Sequence, residues 1–357
     1  MPQSKLTFAI AVPIGRWHAM LPHALRSLAA QNPHPEIAVL DASGDARVVQ
    51  ALDASGLRFA YRRHGPDAGQ SAAIMEGWRN TESNVVGWLN ADDILLTSAL
   101  NEAGLALDAR PGAEGVFAGS VILDSARTVL GVHGPVEALT DRIARSNPIS
   151  QPSCFVRRHS MDSVAGLNEG LHYVMDWEFW LRLRQAGATL EPVDALWSAV
   201  YWGEGTKTSS LNPRRTWEIF GLTRKHACTL NALKTVLSVH RNVSGADWLF
   251  QLSMSGQTSA TNGGVRLTAA RHPGESGRRS ASLRIPNVFD DTRSELFVML
   301  SSEDVSVRGA GAKAAMVAPG KWRLKFAKAI APGSDRRIEL AAPADSTAQF
   351  LSAKWRT

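Results

Sequence analysis

The stretch Val85-Val86-Gly87-Trp88-Leu89-Asn90-Ala91-Asp92-Asp93 constrains the chain more than any other, because an unbroken apolar run ends abruptly at two adjacent carboxylates. A run without polar alternation suits a strand covered on both faces, as in the parallel sheets of α/β folds. Such sheets bind ligands just beyond the carboxyl ends of their strands. Neighbouring carboxylates repel each other unless a cation lies beside them, and a divalent cation carrying a phosphate is the usual solution. The same pair also fits a polar loop or a helix cap, since Ile94-Leu95-Leu96 follows directly.

The chain before this stretch repeats the pattern. Leu6 to Val12 reads as a first buried strand, closed by Pro13 and Gly15. Leu21, Leu25 and Leu28 share one helical face, which Pro33 and Pro35 bring to an end. Ile37 to Leu40 is a second short strand, and it too ends in a carboxylate, Asp41. The β-α-β order predicts a parallel pair with a right-handed crossover, which sets Asp41 and Asp92 on one edge of the same sheet.

A chain of 357 residues is long enough for two domains and a sizeable core. It holds no apolar run of about eighteen residues and no signal-like start, so the expectation is a soluble cytoplasmic protein, with the inner face of the membrane as the alternative placement. Cys154 and Cys228 are the only cysteines, which argues against a disulfide framework or a structural zinc site. Of 39 Lys and Arg and 33 Asp and Glu, 23 of each fall within residues 1–244, so the whole net charge of +6 lies in the tail. A mildly basic tail is either a solvated surface or a face for an anionic partner. Nothing resembles a nucleic-acid-reading motif.

Between the strands stands Pro66-Asp67-Ala68-Gly69-Gln70-Ser71, a turn that opens into a helix and is followed by Trp88-Leu89-Asn90-Ala91-Asp92-Asp93. Together these segments resemble the inverting family 2 glycosyltransferases with the GT-A nucleotide-diphospho-sugar transferase fold, over roughly residues 6–210. The resemblance implies an α/β domain with a mostly parallel central sheet and a cation, Mg or Mn, set against the diphosphate of a nucleotide-sugar donor. It implies Asp92 as metal ligand, with Asn90 and Asp93 supporting it at the metal and the donor. By the same resemblance Asp41 binds the nucleotide base with Pro13 nearby, and Asp67 lies in the nucleotide pocket. At the first strand the chain departs from the family, with Pro13-Ile14-Gly15-Arg16 in place of a Thr-Tyr-Asn-like segment.

Further motifs continue the resemblance. Ser98 to Leu107 reads as a helix, and Val116–Leu123 and Thr128–Val132 as strands paired around Asp124-Ser125. The segment from Ile149 to Arg158 is similar to the acceptor side of the family's cleft, where Gln151 and Arg157 either touch substrate or belong to a strand edge. Met175-Asp176-Trp177-Glu178-Phe179-Trp180 is similar to the helix carrying the family's catalytic base. Asp176 shares a face with Phe179, Trp180 and Leu183, whereas Glu178 shares one with Arg182 and Gln185, so the spacing turns Asp176 inward and Glu178 toward solvent. A carboxylate there can also merely cap the helix. Lys207 and Ser210, in the loop where the family often places a histidine, are candidates for phosphate contact, and the third metal ligand is unassigned.

Pro213 to His240 reads helical, with apolar and basic residues interspersed, and either packs on the core or lies on a membrane surface. Residues 253–264 have linker composition. From Val265 the period becomes alternating and predicts short strands in a β-sandwich. The expected organisation is a catalytic domain over 1–210, a helical extension over 211–252, the linker, and an accessory β domain over 265–357. That β domain could bind glycan, mediate self-association or brace the catalytic domain. The expected activity is metal-dependent transfer of a sugar to a hydroxyl of a glycan or lipid-linked acceptor, in polysaccharide or glycoconjugate biosynthesis. The alternative is a catalytically inactive GT-A-like protein that binds nucleotide or glycan.

Overall fold

The structure is a computed structural model, and it describes residues 3–133, 139–203, 206, 212–244, 265–266, 268–269, 278–343 and 349–356. The first half alternates strand and helix: β1 (Phe8–Ile14), α1 (Leu21–Ala29), β2 (Glu36–Asp41), α2 (Ala46–Ala54), β3 (Tyr61–His64), α3 (Gln70–Arg79) and β4 (Val85–Trp88). β5 (Ile94–Leu95), α4 (Ala99–Asp108), β6 (Gly115–Leu123), β7 (Val129–His133), β8 (Cys154–Arg157), α5 (Arg158–Ser163), α6 (Met175–Gln185) and β9 (Leu190–Tyr201) follow. The strands β3, β2, β1 and β4 lie side by side and parallel, as the β-α-β order requires. Beyond β4 the sheet becomes mixed, because β8 inserts antiparallel between β4 and β6 and β7 returns antiparallel to β6.

Alternation along β1 divides the core into two layers. Phe8, Ile10, Val12 and Ile14 pack with Leu21, Leu25 and Leu28 of α1 and Leu100 and Leu107 of α4. Ala9 and Ala11 face the other way, toward Ile74 and Trp78 of α3 and Phe179 and Trp180 of α6. Small side chains on that face let α3 approach closely: a Cβ at Gly77 would lie 2.9 Å from Leu40 and 3.1 Å from Ala11 and Ala38. The first strand runs through Pro13 instead of closing there. β4 has already ended on that side, where the Leu89 N–H bonds to the Ala11 carbonyl, so the missing Pro13 N–H breaks no ladder.

The helical stretch after residue 212 is two helices, α7 (Pro213–His226) and α8 (Thr229–Ser244), broken at Ala227-Cys228. The tail supplies β10 (Val265–Arg266), β11 (Thr268–Ala269), β12 (Arg278–Pro286), β13 (Arg293–Leu300), β14 (Ser306–Gly309), β15 (Ala312–Ala318), β16 (Lys321–Ile330), β17 (Asp335–Pro343) and β18 (Gln349–Trp355). They form two layers, β15-β16-β13-β18 and β11-β12-β17-β14, around Leu283, Ile285, Leu296, Val298, Leu324, Ile338 and Leu340. The expected linker, 253–264, lies outside the described residues.

The tail strands join the N-terminal sheet. β18 pairs with β7 at Ala353 and Val129, so one sheet runs from β3 to β15. Ile94, Leu96, Val121 and Leu123 share a core with the tail. Arg284 bonds both Asp335 oxygens at 3.0 Å, Glu102 at 3.3 Å and the Leu196 carbonyl at 3.1 Å, and it also donates to the Thr97 carbonyl. Asp335 in turn accepts the Thr97 N–H at 2.8 Å. Among the described residues, no helix is long and apolar enough to cross a membrane.

Candidate functional site

The parallel strands deliver their carboxyl ends to one edge. Ile14 of β1 is level with Asp41 of β2, and β4 passes Ala11 and ends just short of Asn90. A tight turn over Asn90 to Asp93, closed by the Asp93 N–H on the Asn90 carbonyl at 3.1 Å, then leads into β5. Asp41, Asn90 and Asp92 therefore lie off the same edge.

Asp41 is buried, and both of its oxygens are engaged. Oδ1 accepts the Ser43 N–H at 2.9 Å and the Ser43 hydroxyl at 2.5 Å, and Oδ2 meets Nδ1 of His64 at 2.7 Å. Burial alone would raise this carboxyl, but the bonds from Ser43 and His64 outweigh it and hold Asp41 below the usual carboxylate range. Pro13 is buried beside Leu40. Asp67 shapes the turn before α3, accepting the Gly69 N–H at 2.9 Å and facing Arg63 at 3.4 Å. Gly69 stands at φ +126°, a conformation that side chains other than glycine rarely adopt.

The turn after β4 is knitted by amides. Gln70 at the start of α3 donates to the Asn90 side-chain oxygen at 2.7 Å. The Asn90 amide donates to Asp93 at 3.0 Å and to Gln151 at 3.2 Å, and Gln151 donates to the Trp88 carbonyl at 2.8 Å. Gln151 is thus beside the Asn90 turn. Arg157 is not: it pairs with Val85 at the opposite end of β4, and its guanidinium bonds the carbonyls of Ala113 and Leu107.

The two neighbouring carboxylates differ. Asp93 is 4% exposed, and burial together with the charge of Asp92 pushes its carboxyl well up, against hydrogen bonds from Asn90 and the Tyr201 backbone. Asp93 thus faces inward and ties the turn together through Asn90. Asp92 is half-buried.

His18, which the sequence did not single out, sits close enough to feel the charge of Asp92. Its ring meets Tyr201 edge-on at 4.9 Å, and its Nδ1 accepts the Met20 N–H at 3.2 Å. Nε2 is then the nitrogen that carries the proton and donates. Burial lowers its pKa, with Asp92 opposing and Arg16 reinforcing the shift. The signal available beforehand was position alone, since His18 stands in the loop that follows the carboxyl end of β1.

Asp176 is the second residue of α6 and is half-buried. Its Oδ2 accepts the Asn147 amide at 2.9 Å. Met175 beside it touches the Ser71 hydroxyl at 2.8 Å, next to Gln70, which ties the start of α6 to the Asn90 turn. Glu218 of α7 closes the approach to α6, accepting the N–H groups of His172 and Tyr173 at 3.1 and 2.6 Å. Glu178 differs from expectation. It is 5% exposed and pairs with Arg182 at 2.8 Å, while Arg182 also donates to the carbonyls of Val164 and Gly166. The i,i+4 pair exists, but these carbonyls draw it inside and make it a structural clamp. Lys207 and Ser210 lie outside the described residues.

Among the described residues, no three His, Cys, Asp or Glu side chains converge on a metal position. Asp92 is the more exposed carboxylate of the turn. That donor set does not make an all-protein cage. It fits a divalent cation held jointly by one carboxylate and the phosphate oxygens of a ligand.

Comparison with known proteins follows the same lines. No curated protein matches the chain. The fold resembles residues 1–349 of S. aureus TarS in complex with UDP-GlcNAc, at TM-score 0.51 and 17% identity over 70% of this chain and 76% of that one. A mannosyltransferase from Pyrobaculum calidifontis in complex with GDP-Man and Mn2+ aligns at TM-score 0.45 and 13% identity, over 72% of this chain and 80% of that one. Residues 10–162 match the model for glycosyl transferase family 2, and the α/β architecture is that of the GT-A fold.

Proposed function

We propose that the chain is an inverting glycosyltransferase that moves a sugar from a nucleotide-diphosphate donor to a hydroxyl of a glycan or lipid-linked acceptor, in polysaccharide or glycoconjugate biosynthesis. The observation that carries this reading is the arrangement of Asp41 and Asp92 at strand ends of one sheet edge, with Asp176 brought toward it by α6. The fold shared with TarS, which was crystallised with UDP-GlcNAc, supports a nucleotide sugar as the donor class.

In this reading Asp41 accepts from the nucleoside, since a carboxylate offers about four lone-pair sites and the bonds from Ser43 and His64 leave capacity. Pro13 and Asp67 border the same pocket. Asp92 holds Mg or Mn together with the diphosphate, and the cation, when bound, neutralises charge developing on the departing diphosphate. His18 donates from Nε2 toward the same phosphates, and Lys207 and Ser210 add charge and a hydroxyl. Asp176 takes the proton from the acceptor hydroxyl as that oxygen attacks the anomeric carbon, on the face opposite the breaking bond to the diphosphate, which inverts the configuration. Asn147 fixes the carboxylate in the orientation this transfer needs.

Calorimetric titration of UDP, GDP, dTDP and CDP with Mn, and then with a chelator, tests the donor site. The expected result is metal-dependent binding of one nucleotide, lost in Asp92→Ala. Absence of binding under both conditions would overturn the reading. Nucleotide binding without turnover, with Asp176→Asn no different from the parent, would move the chain to the inactive binding class.

A further inference from the structure

Helix α8 carries apolar side chains on two faces, and only one face is covered. Ala232, Val236 and Val239 turn toward the core beside α6 and α7, and the Thr235 hydroxyl anchors that face on the Arg145 carbonyl at 3.0 Å. Leu230, Leu233 and Leu237 recur at i, i+3 and i+7 on the other side and are 60, 50 and 62% exposed. A solvated helix has no use for such a stripe. The Thr216 hydroxyl meets Nε2 of His240 at 2.8 Å, which sets α7 antiparallel to α8 and brings the Trp217 turn beside the Leu237 turn. Trp217 is 70% exposed, the largest such value among the exposed large hydrophobic side chains described.

Among the described residues, the exposed charges of the hairpin itself are of one sign. Arg224, Lys225 and Lys234 are exposed. The hairpin's one carboxylate, Glu218, is turned inward with its side chain 10% exposed, where it binds backbone N–H groups and Arg214. Two copies meeting through this face would set like charges against each other. A phosphate-bearing lipid surface would instead neutralise them while receiving the leucines and the indole.

We infer that the α7–α8 hairpin is a peripheral membrane-docking surface that lays Leu230, Leu233, Leu237 and Trp217 into the interface of an anionic lipid bilayer. The inference is independent of the transferase reading, because it concerns a surface that contributes no residue to the cleft. Docking through this face would hold the enzyme flat on the bilayer without a spanning segment, in reach of acceptors anchored there.

The test is flotation of the full chain with vesicles of phosphatidylcholine alone and of phosphatidylcholine mixed with phosphatidylglycerol, at low and high salt. The chain is expected to float with the mixed vesicles and to dissociate as salt rises. Combined Leu230→Ser, Leu233→Ser and Leu237→Ser should weaken flotation about tenfold or more. Combined Lys225→Glu and Lys234→Glu should weaken it roughly fivefold or more. These positions are exposed, and unchanged thermal unfolding of both variants verifies that they fold. No flotation of the parent chain, or equal flotation of both variants, overturns the inference. So does a lipid-free dimer of the parent that the serine variant abolishes, which would assign the face to a second copy.

Discussion

Two regions of the molecule gather charge and treat it differently. At the seam with the tail, Arg284 is surrounded by Asp335, Glu102 and two carbonyls, so each charge finds its partner within the protein. At the carboxyl edge of the parallel strands, Asp92 and Asp176 stay half-buried in a loop and at a helix start, while Asp93 is buried and its carboxyl is pushed up by burial and by Asp92. The seam has the character of structure, because its network closes on itself. The edge has the character of a site, because it gathers carboxylates off the carboxyl ends of parallel strands, where such sheets bind ligands. Helix α6 repeats the contrast over two residues: Glu178 is clamped inside by Arg182, and the half-buried Asp176 accepts the Asn147 amide.

The contrast can be broken or sharpened by experiment. The largest effect is expected at the edge, where Asp176→Asn should lower transfer by a factor on the order of 10² to 10⁴ while nucleotide binding, read by calorimetry, stays unchanged. An equal fall in binding would mean that Asp176 shapes the pocket and is not the base. At the seam, Arg284→Met strands Asp335 and Glu102 and should cost about 3 kcal/mol in chemical denaturation, with nucleotide affinity of the folded protein unchanged. A change in affinity with no loss of stability would erase the distinction between the two regions.

A pH titration sharpens the seam further. His23 of α1 is lowered to about 4 by burial and by the cations of Arg26 and Arg127, and its Nδ1 meets the Arg26 guanidinium at 2.8 Å. The unfolded chain takes up this proton near pH 6.5 and the folded chain only near 4, so stability should be lost as pH falls through that window. The loss should reach at most about 3 kcal/mol, and His23→Gln should flatten the slope. The smallest effect is again at the edge: Asp92→Asn should weaken Mn-dependent nucleotide binding by about tenfold and leave binding in chelator untouched. Equal weakening with and without metal would make Asp92 a nucleotide contact and not a cation ligand.

Much of the edge was legible in the amino-acid sequence. The apolar runs ending at Asp41 and at Asn90-Ala91-Asp92 announced buried strands with polar ends, and the order β-α-β announced that those ends share an edge. Strand, helix and turn signals of this kind are local, carried by side chains within a few residues of each other. The break at Ala227-Cys228 was less legible, since the apolar period runs on across it.

The amino-acid sequence alone thus decided the strands and helices with clear apolar periods, the parallel pairing of the first strands and the acidic edge, whereas α2, β3, α5 and β9 carried no such signal. Tertiary structure alone decided which carboxylates are buried. Asp93 is withdrawn by Asn90 and by the backbone of Tyr201, more than a hundred residues away, and Glu178 by an arginine whose other partners lie before α6. His18 reaches Asp92, and β18 reaches β7, only because the chain folds back. Burial and its effect on a charge depend on everything packed around it, and periodicity reports only which face of an element is apolar, not what will cover it.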